Sequence, residues 1–342
     1  MGANEIETNA KRMVAPGKGI LAADESDGTI KKRFDSINVE STEENRRSYR
    51  EMLFTTEGIE EFISGVILFS ETIRQKTLEG TPFSTLLSSH GIIPGIKVDK
   101  GAKPLAGAPG ETITEGLDGL RERLKEYYDL GARFTKWRAV IKIGDGLPTE
   151  KAIDTNAHAL ARFAILSQEA SLVPIVEPEV LMDGDHTIER CYEVSLSTLR
   201  SVFSELKKQG ALLSGMVLKP NMILSGKECP DQASMHEVAD HTVRCLGNCV
   251  PGLLPGIAFL SGGQSYENAT AHLNAMNALG NHPWELSFSY GRALQAPALK
   301  VWGGNFTNIT HAKKVFYHRC KCNGAARSGI YAEAMEKELI AT

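Results

Sequence analysis

A lysine at the end of an apolar stretch is the first residue whose type and position indicate chemistry. Lys219 closes "GMVLK" and is followed directly by Pro220. Lysine is almost never fully buried without a partner, and burial or a neighbouring cation lowers its pKa. A neutral lysine amine attacks carbonyl groups and forms Schiff bases. Lys219 is therefore a candidate nucleophile, and the alternative is a structural lysine paired with a glutamate.

Two carboxylates and a second lysine end neighbouring apolar stretches. "VPIVEPE" contains Glu177 and Glu179, and "ARFTKWR" contains Lys136. Schiff-base formation expels water, so it needs groups that accept and donate protons, and the glutamates supply them. A lysine ammonium near Lys219 would lower the pKa of Lys219 further.

Two glycine-containing motifs near the end of the chain have the composition of an anion site. "FLSGGQS" places Ser261, Gly262 and Gly263 before a helical pattern, and "SYGRA" contains Gly291 and Arg292. Backbone N–H groups beside a helix N-terminus bind anions, and arginine pairs well with phosphate. A second anion site is predicted across the mouth from "DESDGT" (24–29), which contains Asp24, Ser26 and Thr29, together with Lys97 and Arg138. The alternative for this site is a solvated turn.

The elements that must position these residues are eight short apolar runs, spaced roughly 30 to 45 residues apart, with helical patterns between them. The runs are 19–24, 65–69, 95–99, 132–138, 173–179, 215–219, 256–261 and 285–291. Eight strand–helix units predict an α/β fold, the (β/α)₈ TIM barrel, with functional residues at the carboxyl ends of the strands. An open doubly wound sheet is the alternative, but its glycine-rich fingerprint is missing after the first run.

The whole chain, 1–342, is expected to be a single domain with its core at about 18–304. Helical additions are expected at the N-terminal side, and a C-terminal helix and tail at 305–342. Capping boxes are predicted at Ser41–Glu44 and Ser234–Glu237, where a hydroxyl residue precedes glutamate by three positions.

Composition and local signals restrict the function classes. The net charge of −4 provides no basic footprint for nucleic acid, and no apolar run reaches the ~20 residues needed to cross a membrane. The N-terminus has no secretory pattern, and the six cysteines are scattered, which favours a cytoplasmic protein with reduced thiols. "MDGDH" (182–186) lacks most ligands of a calcium loop, so no metal and no cofactor are predicted.

Long motifs in the chain resemble those of the class I, Schiff-base fructose-1,6-bisphosphate aldolases. They include "GKGILAADES", "GIKVDKG", "KWR", "VPIVEPE", "LKPNM", "FLSGGQS" and "FSYGRALQ", within the segment 18–304. The resemblance implies a TIM barrel assembled as a homotetramer, a sugar bisphosphate substrate and no metal. It also implies cleavage of fructose 1,6-bisphosphate to dihydroxyacetone phosphate and glyceraldehyde 3-phosphate.

The resemblance also assigns roles. Lys219 would form the imine, Glu177 would be the general acid and base with Glu179 beside it, Lys136 would stabilise negative charge, and Asp24 would take the proton of the C4 hydroxyl. The C1 phosphate would be bound at Ser261, Gly262, Gly291 and Arg292, and the C6 phosphate at Ser26, Lys97 and Arg138.

Two positions depart from the family pattern. Thr29 stands where a serine is usual, and the chain does not end in the tyrosine that helps to protonate the enamine in many members. Tyr331 is the only tyrosine of the tail, so protonation is expected to rely on Glu177, on water or on a tail that works differently. An aldolase for another sugar phosphate and a binding protein on the same scaffold remain as alternative functions.

Overall fold

Eight parallel strands form a closed barrel in the computed structural model, which describes residues 2–341. In chain order the strands are β1 (Gly19–Ala23), β2 (Ile63–Leu68), β3 (Ile93–Lys97), β4 (Ala102–Pro104), β5 (Thr112–Thr114), β6 (Phe134–Ile141), β7 (Val173–Val180), β8 (Val217–Leu218), β9 (Gly256–Phe259) and β10 (Glu285–Tyr290). The ring runs β1-β2-β3-β6-β7-β8-β9-β10 and closes on β1, whereas β4 and β5 form a separate antiparallel pair. The predicted (β/α)₈ barrel is confirmed, and the open-sheet alternative is wrong.

Helices surround the barrel and extend both ends of the chain. They are α1 (Gly2–Met13), α2 (Asp27–Asp35), α3 (Glu43–Phe54), α4 (Phe83–Ser89), α5 (Leu120–Asp129), α6 (Glu150–Glu169), α7 (Ile188–Lys208), α8 (Met235–Gly247), α9 (Tyr266–Leu279), α10 (Arg292–Trp302) and α11 (Ile309–Arg327). Short 3₁₀ helices lie at Ile59–Glu61, Thr72–Arg74, Leu213–Gly215, Phe306–Asn308 and Glu333–Ala341. Within residues 2–341 no helix is both long and apolar enough to cross a membrane.

Local signals placed the helix starts to within one residue. The Ser234 hydroxyl accepts from the Glu237 backbone, and the Glu237 carboxylate accepts from the Ser234 backbone, so that capping box is confirmed. The box predicted at Ser41–Glu44 is wrong, because α3 begins at Glu43 and its cap is Thr42, whose hydroxyl accepts from the Asn45 N–H. Adjacent serine and threonine offer two equivalent caps, and the helix start decides between them.

The N-terminal helix closes the end of the barrel that lies away from the predicted site. Ile6, Ala10 and Val14 are buried in one cluster with side chains inside the barrel. A Cβ built on Gly256 would lie 2.7 Å from Val14, so no larger residue fits where the helix crosses β9. Only the carboxyl ends of the strands are left open as a mouth, which is where barrels of this class hold their functional residues.

Two strand predictions were imprecise. The fourth run was expected at 132–138, but β6 extends through Ile141, and β8 comprises only two residues. Lys219 is therefore the first residue beyond β8, although its N–H still donates to the Val176 carbonyl at 2.8 Å. The short strand brings the lysine to the mouth while its backbone remains attached to the barrel.

Candidate active site

A cavity of about 220 Å³ lies at the carboxyl ends of the strands. Every predicted site residue lines it except Gly263, which follows directly after Gly262 at its edge. The lining members of the prediction are Asp24, Ser26, Thr29, Lys97, Lys136, Arg138, Glu177, Glu179, Lys219, Ser261, Gly262, Gly291 and Arg292. Strand ends that are far apart in sequence therefore meet in one polar cavity.

Strand register explains why these side chains share the cavity. Lys97 is paired with Lys136 across β3 and β6, and Arg138 is paired with Glu177 across β6 and β7. Residues two apart on a strand point to the same side, so Lys136 and Arg138 both face inward, as do Glu177 and Glu179. The "KWR" and "EPE" motifs thus present alternate residues to the mouth and leave Trp137 for the packing outside the barrel, where it stacks on Phe163.

Lys219 is almost completely buried, and its ammonium lies 3.3 Å from Glu177 Oε1. Burial lowers the pKa of the Lys219 amine, and the nearby Lys136 ammonium lowers it further, whereas Glu177 and Asp24 act in the opposite direction. The net effect favours the neutral amine relative to an exposed lysine. The alternative hypothesis, a structural lysine paired with a glutamate, is correct about the partner, which is Glu177. The pair lies inside the cavity, however, and its surroundings disfavour the positive charge on Lys219.

Lys136 bridges the two carboxylates that face Lys219. Its ammonium lies 3.0 Å from Asp24 Oδ2 and 2.8 Å from Glu177 Oε2. Burial disfavours its charge, but Asp24 and Glu177 outweigh burial and raise the pKa of Lys136 well above its usual value. Lys136 therefore stays cationic beside an amine that tends to lose its proton.

The two buried carboxylates are held in their ionised form. Burial alone would raise the pKa of Asp24, but Lys136, then Lys219 and Lys97, hold that pKa far below its usual range. The pKa of Glu177 is likewise lowered, because Lys136, Lys219 and Arg138 overcome its burial. Both groups are thus ready to accept a proton before they donate one.

Two further cationic side chains that line the cavity are paired with carboxylates. Arg138 donates to the Glu179 carboxylate, and Lys97 lies 2.7 Å from Asp99 Oδ1. Burial opposes the Arg138 charge, but Glu179 outweighs it and raises the pKa of the guanidinium. Glu179 thus neighbours Glu177 as expected, and in this arrangement it holds Arg138 at the cavity.

The loop between β9 and α9 has the backbone shape of an anion site. Gly262 and Gly263 have φ values of 60° and 91°, in the left-handed region that favours glycine. A Cβ on Gly291, the residue before α10, would approach the Ala22 carbonyl oxygen to 3.3 Å, so the β10–α10 turn packs tightly against β1. Arg292 begins α10 beside this turn, and its side chain reaches Gly263.

A second helix N-terminus borders the cavity on the other side. Ser26 precedes α2, and its hydroxyl lies 3.2 Å from the Thr29 hydroxyl without capping the helix. Both hydroxyls are exposed and line the cavity. Thr29 carries one methyl group more than serine, and it lines the cavity with its hydroxyl beside that of Ser26.

A buried charged group that was not predicted from the sequence lies beside this helix. Glu25 accepts hydrogen bonds from Arg33, from Arg50 at 2.6 Å and from Gln295 at 3.0 Å. Arg33 also lines the cavity. No motif or periodic pattern joins these positions in the sequence, and only the adjacency of Glu25 to Asp24 could have pointed to it.

Tyr331 does not line the cavity, and its hydroxyl donates to Glu336 at 2.9 Å on the surface of α11. One His, Cys and Glu group is compact enough to hold a metal among the described residues, namely His318, Cys322 and Glu336. Both Glu336 oxygens already accept from Arg319, at 2.6 and 2.5 Å, so the cluster is built as a tail contact.

Comparisons with known proteins agree on one family. The sequence model of the family described as fructose-bisphosphate aldolase class-I matches residues 5–341. A Xanthomonas campestris pv. campestris protein named "Probable fructose-bisphosphate aldolase class 1" is 60% identical over 96% of this chain and 99% of its own length. Cytosolic fructose-bisphosphate aldolase 6 of Arabidopsis thaliana is 54% identical over 96% of this chain and 92% of its own length. The Plasmodium falciparum aldolase, solved in complex with TRAP and a small molecule inhibitor, superposes with a TM-score of 0.95 at 52% identity, covering 96% of each chain.

Proposed function

The chain belongs to the class-I fructose-bisphosphate aldolase family, and we propose that Lys219 carries its reaction as the Schiff-base nucleophile. The reaction is the reversible cleavage of fructose 1,6-bisphosphate to dihydroxyacetone phosphate and glyceraldehyde 3-phosphate, by the class of aldolase that is metal-independent. The observation that supports Lys219 is its position, buried and 3.3 Å from an ionised glutamate, with a lowered pKa.

In the first half of the reaction, the neutral Lys219 amine adds to the C2 carbonyl and gives a carbinolamine. The alkoxide formed by addition takes up one proton from solvent and becomes a hydroxyl. Glu177 accepts a proton from the nitrogen and donates it to this hydroxyl, so that water leaves and a protonated imine remains. Glu177 suits both steps, because its carboxylate is ionised at the start and touches Lys219. Lys136 stabilises the negative charge that develops on the oxygen during addition.

In the second half, Asp24 takes the proton of the C4 hydroxyl and the C3–C4 bond breaks. The bonding electrons pass to the protonated imine, which becomes an enamine, and glyceraldehyde 3-phosphate is released. Protonation of the enamine at C3 and hydrolysis of the imine then free dihydroxyacetone phosphate and regenerate Lys219. The ionised state of Asp24 supports its role as the base. Because the Tyr331 hydroxyl lies outside the cavity and donates to Glu336, this contact supports proton delivery by Glu177 or water.

Borohydride trapping tests this proposal. We expect reduction in the presence of dihydroxyacetone phosphate to add the mass of the reduced ligand to Lys219, identified by peptide mass spectrometry. Lys219→Met should abolish the adduct, while the matched surface variant Lys208→Met should retain it, since Lys208 lies in an exposed pair at the end of α7. An adduct on another lysine, or none at all, would overturn the assignment of Lys219.

The expected phosphate positions belong to the same proposal. We expect the C1 phosphate to bind at Ser261, Gly262, Gly291 and Arg292, and the C6 phosphate at Ser26, Thr29, Lys97 and Arg138, all of which line the cavity. The left-handed glycines and the two helix N-termini support this arrangement, because each offers N–H groups or hydroxyls to an anion.

We also propose a cytoplasmic homotetramer. The family resemblance supports the tetramer, and the Arabidopsis relative named as cytosolic supports the compartment. Sedimentation equilibrium should return a mass of four chains, and a mass of one chain would contradict the assembly.

A further inference from the structure

We propose that Lys227 is a further ligand of the substrate's C1 phosphate, a role that rests on the proposed function of the cavity. Lys227 lies in the loop after β8, eight residues beyond Lys219, and no motif of the sequence analysis included it. It belongs to the edge of the mouth, outside the residues that line the cavity. Its position relative to the glycine loop carries the inference.

Two cationic groups converge on Gly263. A Cβ built on this glycine would lie 3.1 Å from Lys227 Nζ and 3.2 Å from Arg292 Nη2. Arg292 is one of the predicted phosphate ligands, and the left-handed Gly263 belongs to the predicted anion-binding loop. Cations that approach the same glycine repel each other and attract anions, and Asp183 is at present the anion beside Lys227. A phosphate dianion held by the loop would neutralise both groups.

The backbone holds Lys227 in this position through a second loop. Three consecutive N–H groups donate to the segment after β7: Gly226 to His186 at 2.8 Å, Lys227 to Met182 at 2.8 Å, and Glu228 to Gly184 at 2.9 Å. A Cβ on Gly226 would lie 2.2 Å from the Gly184 carbonyl oxygen, so only glycine permits this contact. The "MDGDH" segment, first considered as a partial calcium loop, thus serves as the support for the lysine loop.

Asp183 of the same segment holds the Lys227 side chain. Its Oδ1 lies 2.7 Å from Lys227 Nζ, and the side chains are 43% exposed for lysine and 59% for aspartate. Exposed pairs of this kind contribute little to stability, so a bound phosphate can compete for the ammonium. Asp183 is therefore a positioning residue that also competes with the substrate for Lys227. Removal of the lysine should consequently weaken phosphate binding, whereas removal of the aspartate should not weaken it.

Trapping at Lys219 provides the measurement, with the concentration of dihydroxyacetone phosphate that gives half-maximal adduct as the readout. We expect Lys227→Gln to raise this concentration about three- to fivefold, the size of one partly exposed charge contact. The increase should shrink at high salt, because exposed charges are screened. Asp183→Asn should leave the concentration the same or lower it. Lys208→Gln is the matched control, since Lys208 forms an equally short 2.7 Å pair with Glu205 at a helix end distant from the mouth.

Two results would overturn the role of Lys227. One is an unaltered half-maximal concentration in Lys227→Gln, and the other is an equal weakening by Lys227→Gln and Asp183→Asn, which would make the pair merely structural. Binding of inorganic phosphate, measured by calorimetry on the intact protein, separates this proposal from the function it rests on. If wild-type Lys219 gave no adduct, the proposed function would fail, while weaker phosphate binding in Lys227→Gln alone would still support the ligand role.

Discussion

Lys219 and the three buried groups beside it form a row in which acidic and basic side chains alternate. Asp24 contacts Lys136, Lys136 contacts Glu177, and Glu177 contacts Lys219. Lys136 has two carboxylates within 3.0 Å, whereas Lys219 has one at 3.3 Å. Two lysines in one cavity therefore have pKa values displaced in opposite directions, so that one supplies a lasting positive charge and the other an amine.

Replacement of Lys136 by Met tests this division. The change removes a positive charge that lowers the pKa of Lys219, while Asp24 and Glu177 remain, so the pKa of Lys219 should rise. The amine is the reactive form and exists above its pKa, so the trapping rate should follow a pH profile displaced to higher pH. Lost stabilisation of the developing charge should reduce kcat about 100-fold as well. A profile at the same or lower pH, in a variant with a native circular dichroism spectrum, would contradict this account.

The candidate catalytic side chains were predictable from the sequence because they lie at the ends of recognisable apolar runs. Lys136, Glu177 and Lys219 each follow an apolar run, and a parallel barrel brings all such ends to one rim. The supporting groups were not predictable in this way. Arg33 and Lys227 lie in a helix and a loop without an apolar pattern, and their orientation depends on Glu25 and on the contact between two loops.

Among the elements, the strands were predicted and the small β4–β5 pair was not. All eight apolar runs became barrel strands, since burial on both faces of a parallel sheet selects continuous apolar residues. The two strands of the small pair contain three residues each, β4 exposed and β5 partly buried, so they have no apolar pattern to recognise. The strand β8 is shorter still, but its two residues are apolar and buried, and the regular spacing of the runs also indicated a strand at this position.

The tail after α11 is held by a buried charge rather than by its tyrosine. Arg319 is almost fully buried and donates to both oxygens of Glu336. Its guanidinium also donates to the Thr270 hydroxyl at 2.6 Å and stacks over the Tyr266 ring of α9. Removal of Glu336 would leave this buried charge without its counter-ion, and that loss is expensive.

Two substitutions in the tail should therefore differ in their effect on the free energy of unfolding. Tyr331→Phe removes one hydroxyl contact to Glu336 and should cost about 1 kcal/mol in the free energy of unfolding, with no change in the rate of cleavage. Glu336→Gln should cost about 3 kcal/mol, because Arg319 stays buried. Denaturant unfolding and steady-state kinetics measure both. A large loss of cleavage in Tyr331→Phe with normal stability would give that hydroxyl a role in protonation.

In the whole molecule, we infer that the barrel and its additions form one domain. The N-terminal α1 fills one end of the barrel, while α11 packs against α9, α10 and β10. The helical insertion is joined to the far end of the chain, since Phe34 of α2 and Tyr49 of α3 contact Trp302 of α10. Within residues 2–341, each of these added segments therefore packs on the barrel or its helices and does not form a separate hydrophobic core.

Cooperative unfolding tests the single domain, because the tryptophans report on different regions. Trp137 lies in β6 against Phe163, whereas Trp302 lies against the helical insertion. The test uses two variants, each of which keeps one of these tryptophans and has phenylalanine at the other two tryptophan positions. In each variant, fluorescence and far-ultraviolet circular dichroism should give the same unfolding midpoint, as a two-state transition requires. The two midpoints are compared within one variant, so the stability lost by replacing a buried tryptophan affects both midpoints equally. A Trp302 transition at lower denaturant than the loss of helix in the same protein would show that α2, α3 and α10 unfold as a separate unit.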